Sequence, residues 1–299
     1  MAGRQQQGVA IPFAVAALGI ALFSGMDALM KGLSLAIGPY NALLWRTLAG
    51  AMLGAAFFFG RRSAWPAPGT LRVHLLRGTL SSVMAVLFFW GLARVPMAQA
   101  IALAFIAPLI ALYLAALFLK EKIQLRAILA SLLGFAGVVV ILAGQVNAHL
   151  GPEALRGSIA ILLSACLYAG NIVLMRRQAQ LAGPMEVAFF MSAIMSGCFL
   201  LAAPFLAAWP EAGRWPAIVG AALLAFGSLM LLAWAYARAE AQHLAPVEYT
   251  GFVWAAFFGW SVFAEPVRPF TLAGAAMIVA ACLIAARAVP AAEVHAEGL

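Results

Sequence analysis

Charge is what this 299-residue chain lacks most. Asp, Glu, Lys and Arg make up 9% of it, against about 25% in ordinary soluble domains. Whole stretches, such as Met97 to Leu119 and Phe270 to Ala286, carry none at all. Apolar residues make up 66%, more than a soluble core can absorb, so these stretches read as segments for a bilayer. Cysteine is scarce as well. Cys166, Cys198 and Cys282 fall in separate apolar stretches, which excludes a disulfide scaffold and reads them as small core residues. The four histidines show no metal-ligand spacing, so neither a metal nor a cofactor is expected. There is no G-x-S-x-G, no H-E-x-x-H and no phosphate-binding glycine loop. An enzyme, a catalytic residue and an ATP-driven pump within this chain are therefore not expected. The formal charge of +8 is scattered over segment ends, which argues against a nucleic-acid partner.

What the chain does have is a repeat. Gly38-Pro39 recurs as Gly183-Pro184, and Leu22, Gly25, Met30 and Lys31 recur as Leu167, Gly170, Met175 and Arg176, a shift of 145. Trp90, Ala93, Arg94 and Glu121 recur as Trp234, Ala237, Arg238 and Glu265, a shift of 144. The reading is an all-α integral membrane protein of ten transmembrane helices in two five-helix repeats. The repeats cover 1–144 and 157–288, with a connecting loop over 145–156 and a short polar tail over 289–299. Five is odd, so two spanning copies must lie inverted, as in secondary transporters whose site forms between the halves.

The expected spans run from about Val9 to Met30, Tyr40 to Phe59, Leu71 to Ala93, Met97 to Leu119 and Ile123 to Ala143. In the second half they run from about Gly157 to Met175, Met185 to Trp209, Pro216 to Ala237, Leu244 to Ala264 and Phe270 to Ala286. The first is longer than a signal-peptide core and lacks a convincing cleavage site, so it reads as a retained helix. With the N-terminus inside, twelve Lys and Arg residues fall at inner ends. Lys31, Arg94, Arg156, Arg214 and Arg268 fall at outer ends. This favours both termini in the cytoplasm.

Polar groups at membrane depth are the functional candidates, because each is costly in hydrocarbon. Arg46 lies within the second span and either snorkels to the interface or pairs with a carboxylate such as Asp27. Asp27, near the expected outer end of the first span, could equally be solvated beside Lys31, four residues on. Glu121 and Glu265, equivalent in the repeats, read as helix caps or partners of basic neighbours, with a gate as the sharper alternative. Glu248, just after Pro246, is a candidate proton or amine site or an interfacial residue. These five are the charged candidates for gating or coupling. Candidates for substrate contact are Ser24, Ser82, Trp90, Gln99, Tyr113, Tyr168, Asn171, Trp234, Tyr249 and Trp254, with Ser81 and Ser228 beside them. Asn171 is the most polar of these at depth and needs partners. Small residues such as Gly50 with Gly54, and Gly134 with Gly137, read as helix-packing or dimerisation faces.

The chain resembles the drug/metabolite transporter superfamily, built on the repeat called EamA. The residues that carry the resemblance are Pro39 with Leu44 to Arg46, Pro108, the run Leu117 to Glu121, Gly134 and Gly137, the run Ala245 to Tyr249, and Phe263 to Pro266. The second half departs from the pattern in placing Phe252 where Pro108 stands in the first. Within the superfamily the chain is most similar to the bacterial aromatic amino acid exporters of the YddG group. The resemblance implies a basket of helices, alternating access, and a central cavity lined by spans one, three, four, six, eight and nine. The expected function is export of amino acids or related small metabolites across the bacterial inner membrane, the partners being that small molecule and the lipid bilayer. Scarce deep charge suggests facilitative transport or weak proton coupling. Export of a drug or a sugar on the same fold, or a membrane protein that transports nothing, are the alternatives.

Overall fold

The computed structural model describes residues 2–61, 64–111, 113, 125–147, 151–236, 238 and 247–288. Ten α-helices lie within them: α1 (Ala2–Ile37), α2 (Pro39–Gly60), α3 (Pro68–Leu92), α4 (Met97–Ala104), α5 (Leu125–Asn147), α6 (Gly151–Leu181), α7 (Pro184–Leu206), α8 (Trp215–Tyr236), α9 (Thr250–Phe263) and α10 (Pro269–Ala288). Six of the helices contain a stretch long and apolar enough to cross a bilayer, in α1, α2, α3, α6, α7 and α8. Leu201 and Phe205 are more than four-fifths exposed. Side chains of this kind on outer faces suit lipid rather than water.

Proline sets several of the starts. Pro39, Pro68 and Pro184 stand in the first turns of α2, α3 and α7, where the missing N–H costs no helical bond. Gly38, at φ 81°, makes the sharp corner between α1 and α2, a conformation that favours glycine.

The helix pairs show how the repeats join. The most extensive contacts are α5 with α10, α1 with α8, α3 with α6, and α2 with α7; α4 also packs on α9. Each pair takes one helix from each repeat. Exchanging the halves turns α1–α8 into α6–α3 and maps the other three pairs onto themselves. This set of contacts is what two related halves packed about a two-fold axis produce. The small residues fit it. A methyl at Gly137 would lie 2.7 Å from the Gly274 carbonyl oxygen, and one at Gly274 would lie 2.5 Å from that of Gly137, so α5 and α10 cross backbone to backbone. Gly54 admits the Phe189 backbone of α7 in the same way. Gly54 and Gly137 thus serve packing within the chain.

The structure corrects three expectations. The first helix runs two turns past Met30, because the stop is at Gly38-Pro39. The fourth span is not one unbroken helix, since α4 ends at Ala104 and turns at Phe105 and Ile106. Of the cysteines only Cys282 is buried; Cys166 is exposed on α6 and Cys198 half-buried on α7.

Candidate functional site

The longer first helix changes what its charged residues do. Lys31, expected at an outer interface, is 3% exposed. Its Nζ donates to the Val95 carbonyl at 2.8 Å and forms an ion pair with Glu265 Oε1. The other Glu265 oxygen accepts the Met97 backbone N–H at 2.8 Å. Met97 opens α4 after Pro96, which offers no side-chain cap, so Glu265 of the second repeat satisfies a helix-end donor of the first. Glu265 is aimed there by the end of α9. Ala264 takes a left-handed φ of 54°, and the Glu265 N–H bonds back to Gly259 O at 2.9 Å, closing the helix in the manner of a glycine cap. The Phe263 ring lies 5.2 Å from the ammonium. Lys31, Val95, Met97 and Glu265 thus form a clasp that ties α1 and the start of α4 to the end of α9.

Ser24, Asp27, Lys31 and Ser34 recur at helical spacing and are all buried, so α1 turns one polar face inward. Asp27, 1% exposed, is not the solvated interfacial residue that a shorter helix implied. Its Oδ1 has no hydrogen-bond partner, and neither has Nε of Arg46 on α2. Arg46 acts on the Asp27 carboxyl through space without a direct ion pair. Roughly opposite this face, Leu22, Gly25, Leu29 and Gly32 line an apolar groove of about 500 Å³ against Leu224 and Phe258.

A second cluster joins α3, α6 and α7. Arg77 Nε donates to Asn171 Oδ1 at 3.3 Å, and its Nη1 donates to Gln178 Oε1. Because the Gln178 oxygen faces the guanidinium, its amide nitrogen must donate to Nδ1 of His74. That leaves the proton of His74 on Nε2, 3.0 Å from Glu186 Oε1. The tautomer here is assigned from the bonding pattern. His74 is fully buried and stacks on Phe190 at 4.8 Å. Ser81 reaches Asn171 Oδ1 at 3.5 Å. Tyr168, one turn from Asn171 on α6, feels both Arg77 and Glu248 through space. The cluster therefore holds a guanidinium, a carboxylate, an amide and a phenol within electrostatic reach of one another.

Of the candidates from sequence, Tyr168, Asn171, Glu248 and Tyr249 belong to this neighbourhood. Tyr249 also touches Phe105 edge-on, with ring centroids 5.3 Å apart. The two residues are 144 positions apart, so equivalent residues meet on the two-fold axis. Both stand at helix breaks: Phe105 follows α4, its carbonyl accepting Cys282 Sγ–H at 3.3 Å, and Tyr249 precedes α9. Breaks at membrane depth are where transporters place their sites. The others lie elsewhere. Gln99 donates to Ser158 at 3.3 Å, and Ser82 to Gly78 O at 2.9 Å. Ser24 is buried on α1, Ser228 is buried on α8, and Tyr113 and Trp254 are half-buried. Trp90 lies 3.5 Å beneath the Arg94 guanidinium, and Trp234 lies 4.1 Å beneath that of Arg238. Glu121 lies outside the described residues. Sequence reading missed His74, Gln178 and Glu186 and took Arg77 and Lys31 for topology signals. The helical spacing of His74, Arg77 and Ser81 on one helix, and of Tyr168, Asn171 and Gln178 over three turns of another, is the signal that would have found them.

The model of the EamA-like transporter family matches residues 11–143 and again 155–287. The chain belongs to the EamA-like transporter family. It is 26% identical over 273 residues to the pseudopaline exporter CntI of Pseudomonas aeruginosa, covering 89% of this chain and 92% of that one. It is 27% identical to a riboflavin transporter of Brucella anthropi, over 71% of this chain and 75% of the other. It is 29% identical to an S-adenosylmethionine uptake transporter of Rickettsia bellii, over 71% of each. A crystal structure aligns with a TM-score of 0.62 at 21% identity, covering 93% of this chain and 97% of that one, which bears on the fold alone. The chain is thus a multi-pass membrane protein of a transporter family, and these relatives carry small molecules.

Proposed function

We propose that this EamA-family protein exports small zwitterionic metabolites, amino acids foremost, from the cytoplasm across the inner membrane by alternating access, with both termini inside. The observation that carries the reading is that Arg77 bonds Asn171, and that Tyr168, one turn away, lies within electrostatic range of both Arg77 and the exposed Glu248. A zwitterion needs a cation for its carboxylate and an anion for its amine, and in a low-dielectric site both must be supplied together. Tyr168, Tyr249 and Phe105 add aromatic surface for an apolar side chain. The Lys31–Glu265 clasp supports a conformation sealed at the opposite, outer end, with Glu265 in a gating role. Buried Asp27 and Lys31, with half-buried Arg46 and Arg77, supply more deep charge than the sequence suggested, so facilitative transport is only one of the coupling schemes the protein can support.

Purified protein in liposomes, assayed with labelled tryptophan, phenylalanine and alanine against riboflavin and a cationic dye, tests the substrate. Saturable amino-acid flux that falls at least tenfold in Arg77→Met is expected. Flux of the dye or riboflavin without amino-acid flux overturns the assignment.

A further inference from the structure

Within the alternating-access reading, on which this inference rests, the clasp must open once in each cycle. Opening deprives the Lys31 ammonium of Glu265. An ammonium left bare inside a membrane protein is costly, so an opening step needs somewhere to put it.

We infer that Asp27 is the second partner of Lys31, receiving the ammonium when Glu265 lets go. Three observations carry this. The first is spacing. Asp27 and Lys31 stand four residues apart on the buried face of α1, with the acid on the N-terminal side, the orientation in which such pairs attract best. Helical side chains also lean toward the N-terminus, so Lys31 relaxes toward Asp27 once it is released. The second is a vacant acceptor. Asp27 is 1% exposed and its Oδ1 has no hydrogen bond in the clasped state, although a buried carboxylate oxygen ordinarily finds one. The third is the surrounding charge. The charge that acts on Asp27 in the clasped state is that of Arg46 on α2, and it acts only through space, its own Nε unpartnered. Asp27 is therefore not already consumed by a direct ion pair. The flexible four-carbon stem of lysine lets its charge change partner while the helix stays put. Opening then exchanges one ion pair for another, Lys31–Glu265 for Lys31–Asp27, which keeps the two conformations close in energy.

The test is a distance across the seam that needs no substrate. Leu35 and Val262 are exposed near the clasp ends of α1 and α9. Spin labels at these positions, with Cys166, Cys198 and Cys282 replaced by alanine, report opening in lipid nanodiscs as a population of longer distances. Asp27→Asn is expected to cut that population at least threefold, Asp27→Ser to do the same, and Asp27→Glu to leave it near wild type. In a Lys31→Met background Asp27→Asn should have no further effect. A long-distance population unchanged by both neutral replacements, or an equal effect with and without Lys31, overturns the inference. If the liposomes transport no amino acid, the proposed substrate falls while this measurement still decides the partner exchange.

Discussion

The clasp at Glu265 and the chain from Arg77 to Glu186 both bind one repeat to the other, and they do so by opposite means. The clasp concentrates its hold in one buried and one half-buried formal charge and two backbone groups. The chain spreads its hold over five side chains: Arg77 donates to both Asn171 and Gln178, Gln178 to His74, and His74 to Glu186. A buried ion pair is worth little net against desolvation, yet breaking it by removing one partner is costly. Such a contact is close to balanced as a whole and intolerant in part, which suits an element that is either made or unmade. A directed network loses one bond at a time and holds a fixed geometry, which suits a binding site.

The comparison breaks most sharply at Glu265. Glu265→Gln leaves the Lys31 ammonium without its counter-charge and should lower stability by about 3–5 kcal/mol, read as a fall in the melting temperature of the purified protein. Adding Lys31→Met should recover most of that loss, because removing both charges ends the desolvation cost. A double variant no more stable than Glu265→Gln alone would mean that the stranded Lys31 ammonium is not what the substitution costs.

The network predicts a smaller effect with a different signature. Gln178→Leu strands one donor of Arg77 and frees His74 Nδ1. The expected cost is about 1–3 kcal/mol. No recovery follows from also changing His74 to Phe, since Arg77 remains unsatisfied. Recovery in that double variant would move the weight of the chain from Arg77 to the His74–Glu186 end.

The sequence carried the architecture because duplication and apolar length are both written in residue identity. Gly38-Pro39 against Gly183-Pro184 and Trp90 against Trp234 announced two halves, and Glu265 was singled out through its equivalence to Glu121. The site was less legible. A cation near a span end has two destinies, the interface or a buried partner, and which one it meets depends on where the helix stops. Lys31 looked interfacial because the apolar run thins at Met30, while the backbone continues to Gly38. Arg77 looked like a topology signal because its partners Asn171 and Gln178 lie more than 90 residues away on another helix. Hydropathy counts residues along one helix, and a cross-repeat hydrogen bond is a property of two.

The smallest effect sharpens the comparison within one motif. Arg94 and Arg238 are repeat equivalents, and each lies over the tryptophan four residues earlier and donates to its carbonyl, at 2.9 and 3.1 Å. Among the described residues the difference is a neighbour: Arg94 also pairs with Glu153 at 3.0 Å, and Glu153 in turn with Arg156. Glu153 is more than half exposed, so solvent screens that extra pair and leaves it weaker than the stacking, while each cation–π contact contributes about 0.5–1 kcal/mol. Arg238→Gln and Arg94→Gln should therefore both cost less than about 1.5 kcal/mol and differ by less than either loss. The excess for Arg94 should vanish in 1 M salt, because screening removes an exposed ion pair and leaves a stacked guanidinium largely untouched. An excess that survives salt would place Arg94 among the buried charges, alongside Lys31, and make the α3–α4 corner part of the clasp rather than its neighbour.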